Sequence, residues 1–214
     1  MPQAGVCAYA DGTVASLSAS VHDRVYGHTA EFMRLAYMAA GFELYNTLAT
    51  ALFIPQQRTF PFLAHHITAL TLALFSMHPY LHYYGFFFFG IAQVSSLPLC
   101  VANVLSPLCE RYPAVRKGHL ASQAVFAVLF LLVRTLAWPI RSWQFWIDSL
   151  SVMWDRSSHS TGVTVTYLAC NLFMTGLQFV WGRKVVLILL RTVRGTQDAR
   201  WSAARRASYD DKGS

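Results

Sequence analysis

Between Pro61 and Leu105 the sequence reads PFLAHHITALTLALFSMHPYLHYYGFFFFGIAQVSSLPLCVANVL, two long apolar runs hinged at His78-Pro79. A helix rises about 1.5 Å per residue, so about 20 apolar residues cross a hydrocarbon core of about 30 Å. The first run just suffices. The second exceeds the requirement and has to tilt or bend, with Pro98 the expected place. An adjacent histidine pair, His65 and His66, is set into the first run and therefore lies in or near lipid. An imidazole in hydrocarbon leaves its polar atoms unsatisfied unless something polar faces it. Such residues point into a bundle interior or a wet cavity, and a functional site is expected there.

The rest of the chain agrees with this environment. Of its 214 residues 55% are hydrophobic and 13% charged, against about 25% charged in an average soluble domain. The apolar residues come in blocks, which predicts an all-α, polytopic transmembrane helix bundle of about five spans. The first runs from Thr29 to Phe53, the two above follow, and His119–Ile140 and Thr161–Trp181 complete the set. The stretch from Arg141 to Ser160 has an apolar part too short to cross and carries Asp148 in its middle, so it is expected as an interfacial or re-entrant helix. Residues 1–28 are small and polar and read as a luminal loop, 29–182 as the membrane domain, and 183–214 as a basic tail.

Charge gives an orientation. Eight of the 17 basic residues fall between Arg183 and Lys212, directly after the last apolar run. A basic flank beside a span marks the cytosolic side and suits anionic lipid. With that tail cytosolic, Arg58, Arg111, Arg116 and Lys117 join it inside, opposed in the last of these loops by Glu110, whereas Arg24, Arg141 and Arg156 lie outside. The partition obeys the positive-inside rule. No recognition motif accompanies the basic charge, so nucleic acid is not an expected partner. Cys7, Cys100, Cys109 and Cys170 show no paired spacing and predict neither a disulfide framework nor a zinc site. The first residues lack a basic segment followed by an apolar core, so a cleaved signal peptide is not expected.

Taken in order, Asp23-Arg24-Val25-Tyr26-Gly27 with the later AGFELYNTL, then His65-His66 followed by Ile67-Thr68, then Ser95, Ser96, Pro98 and Asn103, resemble the motifs of one family. Arg134 with Trp138-Pro139, and Asn171, Gln178 and Trp181, extend the match over nearly the whole chain. The pattern resembles the TLC domain, shared by TRAM, the Lag-type ceramide synthases and CLN-type proteins. The resemblance implies helices around a cavity for an acyl chain or lipid, in the endoplasmic reticulum. Two departures matter. Tyr45-Asn46 stands where the family has an aromatic-Asp pair, and the segment GIAQVSSLP has Gln93 where the synthases carry acidic residues. The chain thus resembles the non-synthase branch. It begins where the family has just completed a first span, so an upstream span is expected.

The leading expectation is a multi-pass protein that binds or senses membrane lipids and influences lipid composition or homeostasis, with His65, His66, Gln93, Arg134 and Gln178 lining its cavity. The alternative is an acyl-CoA-dependent N-acyltransferase acting on a sphingoid base. Its catalytic residues would be His65 or His66, as base or as nucleophile, and acyl-CoA would be the only co-substrate. Neighbouring helical residues point about 100° apart, so at most one histidine faces a given cavity. A second alternative, a lipid transporter, finds support only in Glu43. No cofactor is expected. His78 and His82 have ligand spacing but are separated by Pro79, so no metal is expected either. Membrane lipids are the expected partners, with a homo-oligomer left open.

Overall fold

The computed structural model describes residues 13–55, 58–109 and 111–210, with the side chains of 13, 16, 113, 193, 195–199 and 200–210 left aside. Cys7, Glu110 and Lys212 lie outside the described residues, as do the side chains of Arg200, Arg205 and Arg206 in the basic tail. The chain divides into two units, Met1–Gln178 and Phe179–Ser214. The second is described over 179–210 and is helical throughout. The first is the helix bundle.

In the bundle, α1 spans Val21–Tyr26 and α2 Ala30–Leu48, continued by a π-helical turn at Ala49–Phe53. Helix α3 covers Phe60–Phe75, α4 His82–Gly85, α5 Ser96–Leu105, α6 Pro113–Leu129, α7 Trp138–Trp154 and α8 Thr161–Asp210. The first unit holds the part of α8 up to Gln178. Among the described residues no strand occurs. Three helical runs are long and apolar enough to cross a membrane, His82–Leu108, Ala114–Trp154 and Thr161–Thr192, and α3 is a shorter apolar helix.

Three sequence expectations are corrected. The stretch read as a loop up to residue 28 contains helical turns at Thr13–Ser16 and Val21–Tyr26, and it buries Val14, Leu17 and Val25. Ser20 starts α1 by accepting from the Asp23 amide at 3.1 Å, so a short sequence without an evident apolar face still folds onto the bundle. The bend expected at Pro98 falls earlier, where the run is π-helical over Phe86–Gly90 and 3-10 over Ile91–Ser95. Pro98 itself sits in the first turn of α5, directly after this irregular stretch, and lacks an N–H for the turn before it. The span expected to end at Ile140 also continues beyond it, in a run from Ala114 to Trp154. A π-helical stretch over Phe130–Ala137 carries α6 into α7 as one helical run, with Pro139 in the first turn of α7.

Helix α2 packs along α3, α5 along α6, and α1 against α4 and α7. The facing surface of α2 is small, with Ala36, Ala39 and Ala40 buried, which lets helices approach closely where water supplies no driving force. Gly85 shows the tightest requirement, since a Cβ there would collide with the Phe32 ring. The outer faces remain apolar, with Phe42, Leu48, Leu136 and Trp143 exposed. That is the pattern of helices whose surroundings are hydrocarbon.

Candidate functional site

Two helices present one face each to a common cavity. His65, Ala69, Leu72 and Ser76 follow one another at four, three and four residues along and just beyond α3, and Tyr167, Asn171, Met174 and Gln178 do the same along α8. That spacing keeps a single stripe in line on a 3.6-residue helix. The other walls are Tyr84, Gly85, Phe88, Phe89 and Gln93 from the irregular run, and Arg134, Trp138 and Phe145 from the run through α6 and α7. The space between these walls is partly open to the outside. Most of the lining is aliphatic or aromatic, and the polar groups are few.

Those polar groups are arranged around Arg134. Its side chain is buried and does not reach out to an interface as a long cation can. Nε donates to Ser95 Oγ at 2.9 Å and to the Ala92 carbonyl at 3.2 Å. Nη2 donates to Ser96 Oγ at 3.0 Å and to Gln93 Oε1 at 3.3 Å. All four acceptors are neutral. The π-helical stretch bearing Arg134 and the 3-10 stretch bearing Gln93 and Ser95 thus meet through this one guanidinium, and the small-polar segment SS of the sequence supplies its acceptors. His65 also lines the cavity, its Nδ1 3.2 Å from Met174 Sδ.

His66 does not line it. Its Nδ1 lies 2.8 Å from Glu43 Oε2, pinning α3 to α2, and Glu43 is buried. The histidine pair is divided as helical geometry requires, one ring toward the cavity and one toward a carboxylate. Of the five residues expected to line a lipid cavity, His65, Gln93, Arg134 and Gln178 are brought together and His66 is not. Asn171, which shares its face with Gln178, is held by other groups: it accepts from Trp146 Nε1 at 3.0 Å and donates to Ser142 Oγ at 3.2 Å. Gln178 differs, since neither of its amide atoms meets a hydrogen-bond partner.

At the α1 end stands a second polar group that the sequence reading did not assemble. Asp148 accepts from Arg24 Nε at 2.5 Å and Nη2 at 2.9 Å, a two-pronged pair. The Tyr84 hydroxyl, from the cavity wall, donates to the same carboxylate. The hydrogen bonding of Arg24 to Asp148 holds the guanidinium still further above its ordinary range, against the opposing effect of burial. Around this pair the α1 segment is fastened elsewhere. The Leu81 amide donates to the Val25 carbonyl at 2.7 Å, with Leu81 in the left-handed region at φ 61, and the Tyr26 hydroxyl donates to the Ser157 carbonyl at 2.8 Å. Tyr80, His82, Tyr83 and Tyr84, whose rings would suit a headgroup interface, are instead buried against this segment and the bundle. One signal could have revealed the pair. A lone carboxylate inside an apolar helix, here Asp148, has to have a cation or donor facing it.

Among the described residues no group of three or more His, Cys, Asp or Glu side chains is placed to hold a metal. Chemically, the cavity offers an apolar body, a buried cation, an imidazole and an unengaged amide. The sequence profile of the TLC domain matches residues 4–187. No curated protein and no solved structure matches the chain.

Proposed function

The chain belongs to the TLC domain family, and on that premise we propose that it binds a membrane lipid in the cavity and thereby senses or influences lipid composition. The observation that carries this reading is the grouping of His65, Gln93, Arg134 and Gln178 at one apolar cavity between α3 and α8. Ligand pockets generally combine an apolar body with a few polar groups that orient the guest. The endoplasmic reticulum and a cytosolic basic tail belong to the same proposal, the first resting on the family and the second on the distribution of Lys and Arg. The test is to purify the protein in mild detergent, extract it with solvent and identify what is released by mass spectrometry. Ala69→Phe, which fills the cavity from a buried position, is the comparison. A lipid near one per chain in the wild type and strongly reduced in the variant is expected. Equal amounts in both would remove the cavity from the account.

A second reading is favoured by one observation. An acyltransferase histidine needs a carboxylate to orient its ring, and Glu43 stands 2.8 Å from His66 although the segment around Gln93 has none. Under this reading His65, in the cavity, takes the proton of the amine as it attacks the thioester carbonyl, or first accepts the acyl group itself; either way the C–S bond breaks and coenzyme A leaves as thiolate, and the Glu43-His66 pair fixes the helix that presents His65. Membranes containing the protein, given labelled acyl-CoA and a sphingoid base, would form an N-acyl product that His65→Ala abolishes. Absence of wild-type product would discard this reading for that substrate pair.

A further inference from the structure

We infer that the polar end of this cavity is a carboxylate site, so that its ligand is a single-chain amphiphile with an ionised carboxylate head, a free fatty acid; this rests on the lipid-binding reading above. Arg134 is 7% exposed and, among the described residues, makes no ion pair. The carboxylates that do make ion pairs there are engaged elsewhere, Glu43 by His66 and Asp148 by Arg24. A guanidinium has five N–H donors. Those on Nε and Nη2 are turned to neutral acceptors, whereas the two on Nη1 donate to no described residue. A buried cation whose hydrogen bonds all go to neutral acceptors, with the Phe130 ring beside it, keeps a preference for an anion.

Gln178 supplies the independent observation. It is 1% exposed, it lines the same cavity, and both its amide oxygen and its amide nitrogen lack a partner. A buried amide left this way is costly unless a guest completes it. The number of open donors selects the head group. An N–H of Nη1 and the amide N–H₂ of Gln178 offer donors for the two oxygens of one carboxylate, with the guanidinium bond charge-assisted. One buried cation compensates one negative charge, which disfavours a phosphate dianion. Beyond this end the walls at Leu72, Phe88, Phe89 and Trp138 are apolar and suit an alkyl chain.

The experiment uses the full chain in phospholipid nanodiscs with a fluorescent polyene fatty acid as the reporter, at mildly alkaline pH, and empty nanodiscs to correct for partition. Palmitate, hexadecanol and palmitamide compete. Palmitate is expected to displace the reporter at a concentration at least about tenfold below that of the two neutral competitors, the ratio that a single charge-assisted contact supports. Arg134→Met should erase the gap while hexadecanol still competes, and Gln178→Leu should narrow it. If hexadecanol matches palmitate in the wild type, or if the gap survives in Arg134→Met, the carboxylate site is wrong and lipid binding stands. If neither reporter nor competitors bind the wild type above empty nanodiscs, the lipid-binding reading fails with it. Should Arg134→Met not fold, the wild-type ratio and Gln178→Leu decide the matter.

Discussion

Two arginines are drawn into this bundle and are treated in opposite ways. Arg24 meets a carboxylate with both prongs of its guanidinium, and Tyr84 completes the acceptor. Arg134, more deeply buried, donates to a carbonyl, two hydroxyls and an amide oxygen and lies over the Phe130 ring. The first charge is compensated inside the chain and serves to fasten α1 onto α7. The second is solvated by dipoles and keeps its attraction for an outside anion. The difference in partners separates a fastening from a binding group more sharply than burial does, since Arg24 is half-buried and Arg134 buried.

Substitution should expose that asymmetry. The largest effect is expected for Asp148→Ala, which strands Arg24 and the Tyr84 hydroxyl; removal of one partner of a buried pair costs about 3–5 kcal/mol. Thermal unfolding of the purified protein should show the largest drop of the series. Next comes Glu43→Ala, which takes the partner from His66 and should cost about 2 kcal/mol. Hydrogen exchange should then rise in α2 and α3 while α1 stays protected, and a rise spread evenly over the bundle would contradict the local role given to this pair. Tyr84→Phe removes one hydrogen bond and leaves the ion pair, at about 1 kcal/mol. Its unfolding midpoint should fall between those of wild type and Asp148→Ala.

The smallest stability change is expected at the more buried arginine. When Arg134→Met is made, Ser95 Oγ still donates to the Ala92 carbonyl at 2.9 Å and Ser96 Oγ to Gln93 Oε1 at 3.1 Å, so its former acceptors keep partners. An unbranched apolar side chain also needs no desolvation of charge, and the change should stay below about 1 kcal/mol. A midpoint drop equal to that of Asp148→Ala would abolish the distinction between the two arginines.

The sequence reveals these features unequally, for physical reasons. Long apolar runs announce helices in a membrane because backbone polar groups have nowhere else to bond. His65, Gln93, Arg134 and Gln178 stand out because polar groups in such runs have to face an interior. The partner of each is another matter. That Asp148 belongs to Arg24 depends on a tertiary approach that no local pattern encodes, and α1 is only six residues long. The same holds for His66 and Glu43: both are conspicuous in the sequence, yet only the packing of α2 against α3 decides which histidine turns to the carboxylate. The irregular backbone is displaced from the prolines for a different reason. A proline lacks the donor for the turn before it, and the π-helical and 3-10 turns lie on the N-terminal side of Pro98 and Pro139, at Phe86–Ser95 and Phe130–Ala137.

The link between Arg24 and Asp148 also has a duration. The two residues are 124 apart in sequence. At a synthesis rate of about 5–20 residues per second, Asp148 is made roughly 6–25 s after Arg24. During biogenesis the first helix therefore waits unlatched beside the growing bundle, and the cavity wall from α8 is made only after that latch is available.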